Sequence, residues 1–229
     1  MTKKRAILPI LIIFLLAIFA VGAYAAPIGV SVSVIGTETQ PSGIAADSHA
    51  AFGGNITNLN INGNSQTLVW QGYFGDVAGN LVLEDASGDI LYDWTGGATT
   101  GEVYSSTSNA VAWASIVAQN DCSVGNSITG TNADAMNNTF TASSNSAITV
   151  GSTVINASTA CSVYTFVNSA NQSSIFQEVV LTDGTNTIYS TFIENNAVGF
   201  DGGNYDFQMI VPEDNDGTTT TYYFYMELG

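Results

Sequence analysis

The 229-residue chain has a formal charge of −16, because 19 acidic residues stand against three basic ones, and it contains a single histidine. The three basic residues are Lys3, Lys4 and Arg5, so no lysine or arginine occurs after position 5. A chain without a basic patch is not expected to bind nucleic acid, since phosphate contacts depend on lysine and arginine. The same shortage excludes a P-loop, a Schiff-base lysine and an arginine clamp for phosphate.

Neutral polar residues dominate the composition. The chain has 22 serines, 25 threonines and 21 asparagines against 22 charged residues, together with 23 glycines and only four prolines. This composition is typical of strands joined by turns and not of charged helices. Hydrophobic residues make up 45% of the chain, which is enough for a packed core and disfavours general disorder.

Residues 1–25 have the pattern of a cleaved export signal. A basic start precedes the apolar run Ala6–Gly22 and the small-x-small triplet Ala23-Tyr24-Ala25, so cleavage is predicted after Ala25. The mature protein would then be secreted or placed on the cell surface, and only the N-terminal segment would contact a membrane. The segment Ala6–Ala26 is just long enough to span a bilayer, so an uncleaved membrane anchor is an alternative. A pilin-type leader cut close to Arg5 is another.

The segment after the cleavage site alternates apolar and polar residues with a period of two. Ile28–Ile35 is therefore predicted to be a strand, and the polar Thr37–Gly43 follows it. Residues 26–43 would form a strand and tether in front of a single domain over residues 44–229. Such a strand could join the sheet of the next copy and build a head-to-tail filament, or pair within its own domain. The strand-exchange positions are Ile28, Val30, Val32 and Val34.

Further short strands are predicted along the domain, each bounded by turn residues. They are Asn55–Ile61, Thr67–Phe74, Asn80–Glu84, Asp89–Trp94, Val103–Ser105, Ser162–Val167, Phe176–Thr182, Thr187–Glu194, Tyr205–Val211 and Thr219–Leu228. Asn62-Gly63 is a strong hairpin signal between the first two. Ala110–Ala118 suits a short helix or a strand, and Ala133–Asn138 suits a short helix. We expect an all-β protein, an antiparallel β-sandwich with a loop-rich middle and at most short helices, with two packed sub-domains as the alternative.

Cys122 and Cys161 are the only cysteines, and neither belongs to a Cys-x-x-Cys motif. In an exported chain they are predicted to form one disulfide that staples the polar middle segment. Closing a loop of about 40 residues is worth about 4 kcal/mol in the chain-entropy model. Two free buried thiols are the alternative.

Four Asn-x-Ser/Thr sequons occur in the chain. In an exported protein of the right compartment they permit surface glycosylation, although a chain so rich in these residues produces some by chance. The acceptor residues are Asn55, Asn137, Asn156 and Asn171.

Residue sets for catalysis are scarce. His49 is the single histidine, and no Gly-x-Ser-x-Gly turn accompanies it, so no serine triad is predicted. A glycosidase needs only two carboxyl groups, which leaves a small carboxylate-dependent hydrolase as a third-ranked function. The carboxylates that cluster on one predicted hairpin are Glu84, Asp85, Asp89 and Asp93. We assign no catalytic and no cofactor-binding residue, and we expect a protein that is not an enzyme.

A dense acidic turn is the one candidate metal site. Glu213, Asp214 and Asp216 lie within five residues and next to Gly217, and oxygen ligands of this kind suit Ca²⁺. The EF-hand spacing fails, because Pro212 would fall at the first ligand position. A solvated acidic turn is the alternative.

Aromatic residues recur in two adjacent predicted hairpins. Trp70, Tyr73 and Trp94 on one sheet face could form a sugar-binding platform, so a carbohydrate-binding module is the second-ranked function. The alternative is that these side chains fill the core of the sandwich.

Four segments resemble a group of secreted, β-rich archaeal cell-envelope proteins, and the similarity covers most of the mature chain from about Asn55. The segments are Trp70–Gly75, Leu83–Trp94, Tyr205–Glu213 and Tyr222–Leu228. The resemblance implies an exported surface protein of archaeal type and supplies no active-site residue. We therefore expect a non-enzymatic envelope protein with a structural or adhesive role, whose partners are its own copies, other envelope proteins or glycans.

Overall fold

The structure is a computed structural model that describes residues 26–38, 45–94, 100–123, 128, 130–171, 174–213 and 218–229. These residues form short antiparallel strands, one short helix and one 3-10 turn. Within the described ranges, no helix has the length and apolar character needed to cross a membrane.

The strands are short, as the frequent turn residues predict, and they are numbered here in chain order. They are β1 (Ile28–Gly29), β2 (Trp70–Gly75), β3 (Val82–Glu84), β4 (Ile90–Asp93), β5 (Gly101–Ser106), β6 (Val117–Ala118), β7 (Ile148–Val150), β8 (Thr153–Ile155), β9 (Ser162–Tyr164), β10 (Gln177–Thr182), β11 (Thr187–Phe192), β12 (Ala197–Val198), β13 (Asn204–Tyr205), β14 (Phe207–Pro212) and β15 (Tyr223–Leu228). Helix α1 spans Met136–Thr139, and the 3-10 turn spans Trp113–Ser115.

A seven-stranded antiparallel sheet forms the centre of the fold. Its order is β1-β15-β5-β11-β10-β6, and β9 also pairs with β10. Strands β14 and β2 pair with each other and pack across β10 and β11 as a second layer. The hairpin β7–β8 packs on the opposite face of the main sheet. The predicted all-β, antiparallel sandwich is confirmed.

Alternating side chains divide the core between the two faces of the main sheet. Val180 and Tyr189 pack towards β14, whereas Val179, Leu181 and Ile188 pack towards the β7–β8 hairpin. Both sets are almost fully buried. Strands buried on both faces explain why β10 and β11 are apolar or neutral at nearly every position and not only at alternate ones.

The predicted disulfide is confirmed. Cys122 and Cys161 are bonded, with a Cα–Cα distance of 5.7 Å. The backbone supports the same junction, because the Cys161 amide donates to the Gln119 carbonyl at 2.7 Å and Val180 donates to the Cys161 carbonyl at 2.9 Å. The bridge therefore ties the middle segment to the edge of the main sheet.

The middle segment is more ordered than its polar sequence indicates. It contains the β7–β8 hairpin, which sequence analysis missed, and the buried side chain of Asn145 organises the loop around it. The Asn145 Oδ1 atom accepts hydrogen bonds from the amides of Thr159 and Ala160 at 2.8 and 3.0 Å. In the loop around Asn145, buried side-chain hydrogen bonds hold the chain in place, as apolar packing does in other parts of the fold.

The strand predicted at Asn55–Ile61, with a hairpin at Asn62-Gly63, is wrong. This segment has no strand pairing, and its apolar side chains are exposed, Ile56 and Ile61 among them. The apolar residues Ile56, Leu59 and Ile61 are spaced three and then two apart, so they cannot all lie on one face of a strand with a period of two.

The two predicted helices have different outcomes. Ala133–Asn138 corresponds to helix α1, displaced towards the C-terminus. Ala110–Ala118 is neither one helix nor one strand, because the 3-10 turn at Trp113–Ser115 precedes the two-residue strand β6. Trp113 packs edge-to-face on Tyr104 and Tyr225, with ring centroids at 5.3 and 5.0 Å, and this tertiary contact overrides the local preference.

Candidate functional site

The outer edge of β15 is the place where the N-terminal segment meets the sandwich. Strand β1 pairs antiparallel with β15, with Ile28 opposite Met226 and Gly29 opposite Tyr225. The Val30 amide adds one bond to the Phe224 carbonyl at 3.2 Å. On its inner side β15 pairs with β5 over all six residues. The N-terminal segment thus covers only part of the outer edge.

The predicted strand Ile28–Ile35 is correct only at its beginning. Residues after Val30 have no strand pairing, and the exposed fractions of Val32, Val34 and Ile35 are 57%, 76% and 94%. Of the four predicted strand-exchange positions, Ile28 lies in β1, Val30 lies at its end, and Val32 and Val34 are unpaired. The residues after position 31 have no strand partner in the described part of the chain, because the antiparallel register carries them past Tyr223, where β15 begins.

Two acidic residues face each other across the same pair of strands. Glu102 on β5 and Glu227 on β15 are direct cross-strand partners, and Glu227 is only 8% exposed. Both Glu227 carboxylate oxygens accept the Gly151 amide at 2.9 Å, and the Tyr104 hydroxyl lies 3.4 Å from Glu227 Oε2. Glu102, Tyr104, Glu227 and Gly151 are called the acid pair site below.

The electrostatics of the acid pair site follow from burial and like charge. Burial, together with the neighbouring Glu227 carboxylate, raises the pKa of Glu102 to about 7, against a smaller opposing effect of the Tyr104 hydroxyl. Burial also raises the pKa of Glu227, although the Gly151 amide opposes this. The pKa of Tyr104 is raised for the same reasons, so its hydroxyl stays a hydrogen-bond donor. Two carboxylates in this position favour a cation or a proton between them.

A third acidic side chain is enclosed in the sandwich core. Glu178 on β10 is 0% exposed, and its Oε2 atom accepts the Ile210 amide of β14 at 2.8 Å. Its Oε1 atom is buried and has no hydrogen-bond partner among the residues that the structure describes. Burial raises the pKa of Glu178 well above its usual range, and the Ile210 hydrogen bond only partly opposes this.

The predicted sugar platform is divided between the core and the surface. Trp70 packs on Phe140 with ring centroids at 5.9 Å, and its indole nitrogen donates to the Asp134 carbonyl at 2.7 Å. Tyr73 packs edge-to-face on Phe224 inside the sandwich. Trp94 is instead 55% exposed and lies against Tyr92, which is 57% exposed, with ring centroids at 4.9 Å. The structure brings together Tyr92 and Trp94, and not the three predicted residues.

The candidate calcium turn falls largely outside the described residues. Glu213 is half-buried at the end of β14, and its amide donates to the Val69 carbonyl at 2.8 Å. Asp214 and Asp216 lie outside the described residues. Within the described ranges, no group of three His, Cys, Asp or Glu side chains is arranged to hold a metal ion.

The four sequon asparagines are all accessible. Asn55, Asn137, Asn156 and Asn171 lie at exposed positions, in loops or on helix α1. Each side chain is therefore open to solvent, as a glycan acceptor requires.

One carboxylate of the predicted acidic hairpin stabilises the turn between β3 and β4. Asp85 Oδ1 accepts the amides of Ser87 and Asp89 at 2.8 and 3.0 Å, which closes the β3–β4 turn. These backbone hydrogen bonds lower the pKa of Asp85. The hairpin itself is confirmed, with Leu83 opposite Tyr92, and His49 lies apart from it at an exposed position.

Sequence analysis missed Glu102, Glu227 and Glu178. The available signal was an acidic residue inside a strongly apolar strand, as in Tyr-Met-Glu-Leu at Glu227, in a chain with no lysine or arginine after position 5 to neutralise it. That signal indicates a buried carboxylate but not its partner, because the pairing of β5 with β15 joins distant parts of the chain.

Comparisons with protein-family models, curated proteins and solved structures find no match to this chain.

Proposed function

We propose that this protein is an exported, non-enzymatic component of the cell envelope, with a structural or adhesive role on the cell surface. Its copies join by strand exchange, in which the N-terminal strand of one copy pairs with the outer edge of β15 in the next. Export is supported by the signal pattern of residues 1–25, by the disulfide and by the accessible sequons. Its partners are its own copies or other envelope proteins.

One observation carries the assembly part of the proposal. Strand β1 contributes only two paired residues to β15, and an exposed stretch of chain separates it from β2, the first strand of the second layer. Residues 31–38 and 45–68 are exposed almost throughout. Because β1 is short and its connection to β2 is long, its own sheet holds it weakly. Pairing in the same register with β15 of a neighbouring copy therefore costs little strain.

A cross-link between copies tests the exchange directly. Ile28→Cys and Met226→Cys are made in separate chains, which are refolded together and oxidised. Because directly opposite residues of antiparallel strands have Cα atoms about 5 Å apart, within disulfide range, we expect a disulfide-linked heterodimer from the mixture and none from either variant alone.

A matched control replaces Ile28→Cys with Ile56→Cys, a fully exposed position without a strand partner. That mixture should remain monomeric on a non-reducing gel. A chain that carries both Ile28→Cys and Met226→Cys tests the alternative. If this double variant forms only an intrachain bond, and the mixture of single variants gives no heterodimer, then the strand stays on its own sheet and the assembly proposal fails.

A carbohydrate-binding role is the second candidate, and one observation favours it. Tyr92 and Trp94 form an exposed edge-to-face pair on the β3–β4 hairpin, and rings of this kind stack on sugars. We expect Trp94→Ala to abolish any signal on a glycan array, whereas Phe52→Ala, which removes an exposed ring elsewhere, should leave it unchanged. Glycan binding that survives Trp94→Ala would exclude this site.

A further inference from the structure

Gly151 of the acid pair site lies next to the first residue of the predicted mature chain. Gly151 occupies the turn of the β7–β8 hairpin with a φ of +56°, and a methyl group on it would lie 3.6 Å from the Ala26 Cα atom and 4.0 Å from the Ala26 nitrogen. The amide of the same Gly151 donates to both carboxylate oxygens of Glu227. Ala26 and Glu227 therefore both lie next to Gly151.

The strand register brings Ala26 to the same place independently. Ile28 lies opposite Met226, so continuing the antiparallel pairing by two residues sets Ala26 opposite Leu228 and Pro27 opposite Glu227. Pro27 is buried and Ala26 is exposed, so this register places Ala26 on the solvent side of Pro27 and next to Gly151.

The charges of the chain indicate which group pairs with the acid pair site. From Ala26 onwards the chain has no lysine and no arginine, yet Glu227 is almost completely buried and faces Glu102 across the strand pair. Partly buried carboxylates are costly unless a cation pairs with them. Within a processed chain, the only groups able to supply a positive charge are His49, which is exposed in another segment, and the new α-amino group.

We infer that removal of the signal peptide creates the ion pair that this site lacks, between the α-ammonium group of Ala26 and the carboxylates of Glu227 and Glu102. Hydrolysis of the Ala25–Ala26 peptide bond by a signal peptidase consumes one water and leaves a carboxylate on Ala25 and an ammonium group on Ala26. The amide of the precursor offers one hydrogen-bond donor and no charge, whereas the ammonium group offers three donors and a full positive charge.

The inferred ion pair couples processing to the position of the N-terminal strand. The ammonium group anchors the start of β1 to β15 and Gly151, so cleavage strengthens the docking of a strand that already pairs with β15. The same contact forms whether the strand lies on its own sheet or on a neighbour's. This inference rests on the export part of the proposed function and is independent of filament formation.

The composition of the chain provides a selective test. A chain that begins at Ala26 has a single primary amine, so acetyl N-hydroxysuccinimide ester acetylates only the N-terminus. The full chain is exported from a secretion host, and mass spectrometry identifies its first residue. We expect acetylation of the folded protein to be about tenfold slower than in concentrated urea, since pairing with a carboxylate keeps the amine protonated.

Variants assign the protection to the acid pair. Glu227→Gln should restore most of the unfolded rate and Glu102→Gln part of it, whereas Glu84→Gln, at an exposed carboxylate on β3, should change nothing. A second measurement needs no variant: wild-type protein that is acetylated while unfolded and then refolded should unfold at a lower urea concentration than unmodified protein.

Two results would overturn the inference, and they differ in meaning. A chain that begins at Ala26 but reacts equally fast folded and unfolded has no ion pair, and export is unaffected. An exported chain that begins at another residue, or retains residues 1–25, removes both the ion pair and the predicted cleavage.

Discussion

Deleting Ala26–Gly36 is expected to abolish the filaments that the proposed strand exchange would form, as judged by electron micrographs of the purified protein. The deletion removes β1 and the exposed alternating residues after it, while the described strands β2 to β15 keep all their pairings with one another. Without β1 the outer edge of β15 has no donor strand from any copy. The deleted protein should therefore behave as a monomer or aggregate irregularly through the bare edge.

The matched control deletes Phe52–Asn62, a segment of the same length. This segment is also exposed and apolar in part, but it has no strand pairing, so filaments should persist with a shorter tether. A synthetic peptide of residues 26–36 should bind the Ala26–Gly36 deletion and restore solubility.

A single substitution refines the same prediction. Val30→Pro removes the amide that bonds to the Phe224 carbonyl, since proline has no N–H. We expect shorter or fewer filaments from this variant and no change in the circular dichroism spectrum.

Filaments of normal diameter and number from the Ala26–Gly36 deletion would show that assembly uses another surface.

The sequence predicts those parts of the fold in which the apolar pattern is long. Strands β10, β11, β14 and β15 have six residues each and are rich in apolar and aromatic residues, so their positions could be predicted closely. Strands β7 and β8 have three residues each within a polar segment, which is too short for a period of two to be distinguished. The Gly151 turn that joins them is visible only in the structure.

The candidate sites were less predictable because they depend on which strands are neighbours. Trp70 and Trp94 lie in similar sequence patterns, but their surroundings differ. Strand β2, which contains Trp70, is covered by β14 and the main sheet, whereas the β3–β4 hairpin beside Trp94 is exposed at nearly all positions. Glu102 and Glu227 meet only through the β5–β15 register. Local sequence gives the residue types of these sites, and the sheet order decides which residues come together.

Glu178 should make the protein more stable in mild acid than at alkaline pH. Its pKa is raised by burial well above the value of 4.5 that it has in an unfolded chain. Between those two pKa values the folded protein holds a proton that the unfolded chain has released, so the free energy of unfolding falls as the pH rises. Between those two pKa values, one retained proton gives a slope of about 1.4 kcal/mol for each pH unit.

Other titratable groups do not reverse the direction in which the free energy of unfolding changes as the pH rises above 5. Asp183 has a lowered pKa because it accepts the Ala112 and Asn186 amides, which outweighs its desolvation, and its contribution to stability is lost only below its unfolded pKa of 3.8. The net negative charge of the chain adds repulsion in the folded state as the pH rises, in the same direction as Glu178.

The variant Glu178→Gln isolates the contribution of this carboxyl group. Glutamine keeps the acceptor for the Ile210 amide and cannot ionise, so the pH dependence of urea unfolding should become flatter and the variant should be more stable than the wild type at about pH 8. Glu84→Gln, which removes an exposed carboxylate, should leave the slope unchanged. A wild-type slope that survives Glu178→Gln would mean that Glu178 is ionised in the folded protein. The described residues include no lysine or arginine that could neutralise a carboxyl group this deep in the core, so a bound proton is what keeps Glu178 uncharged.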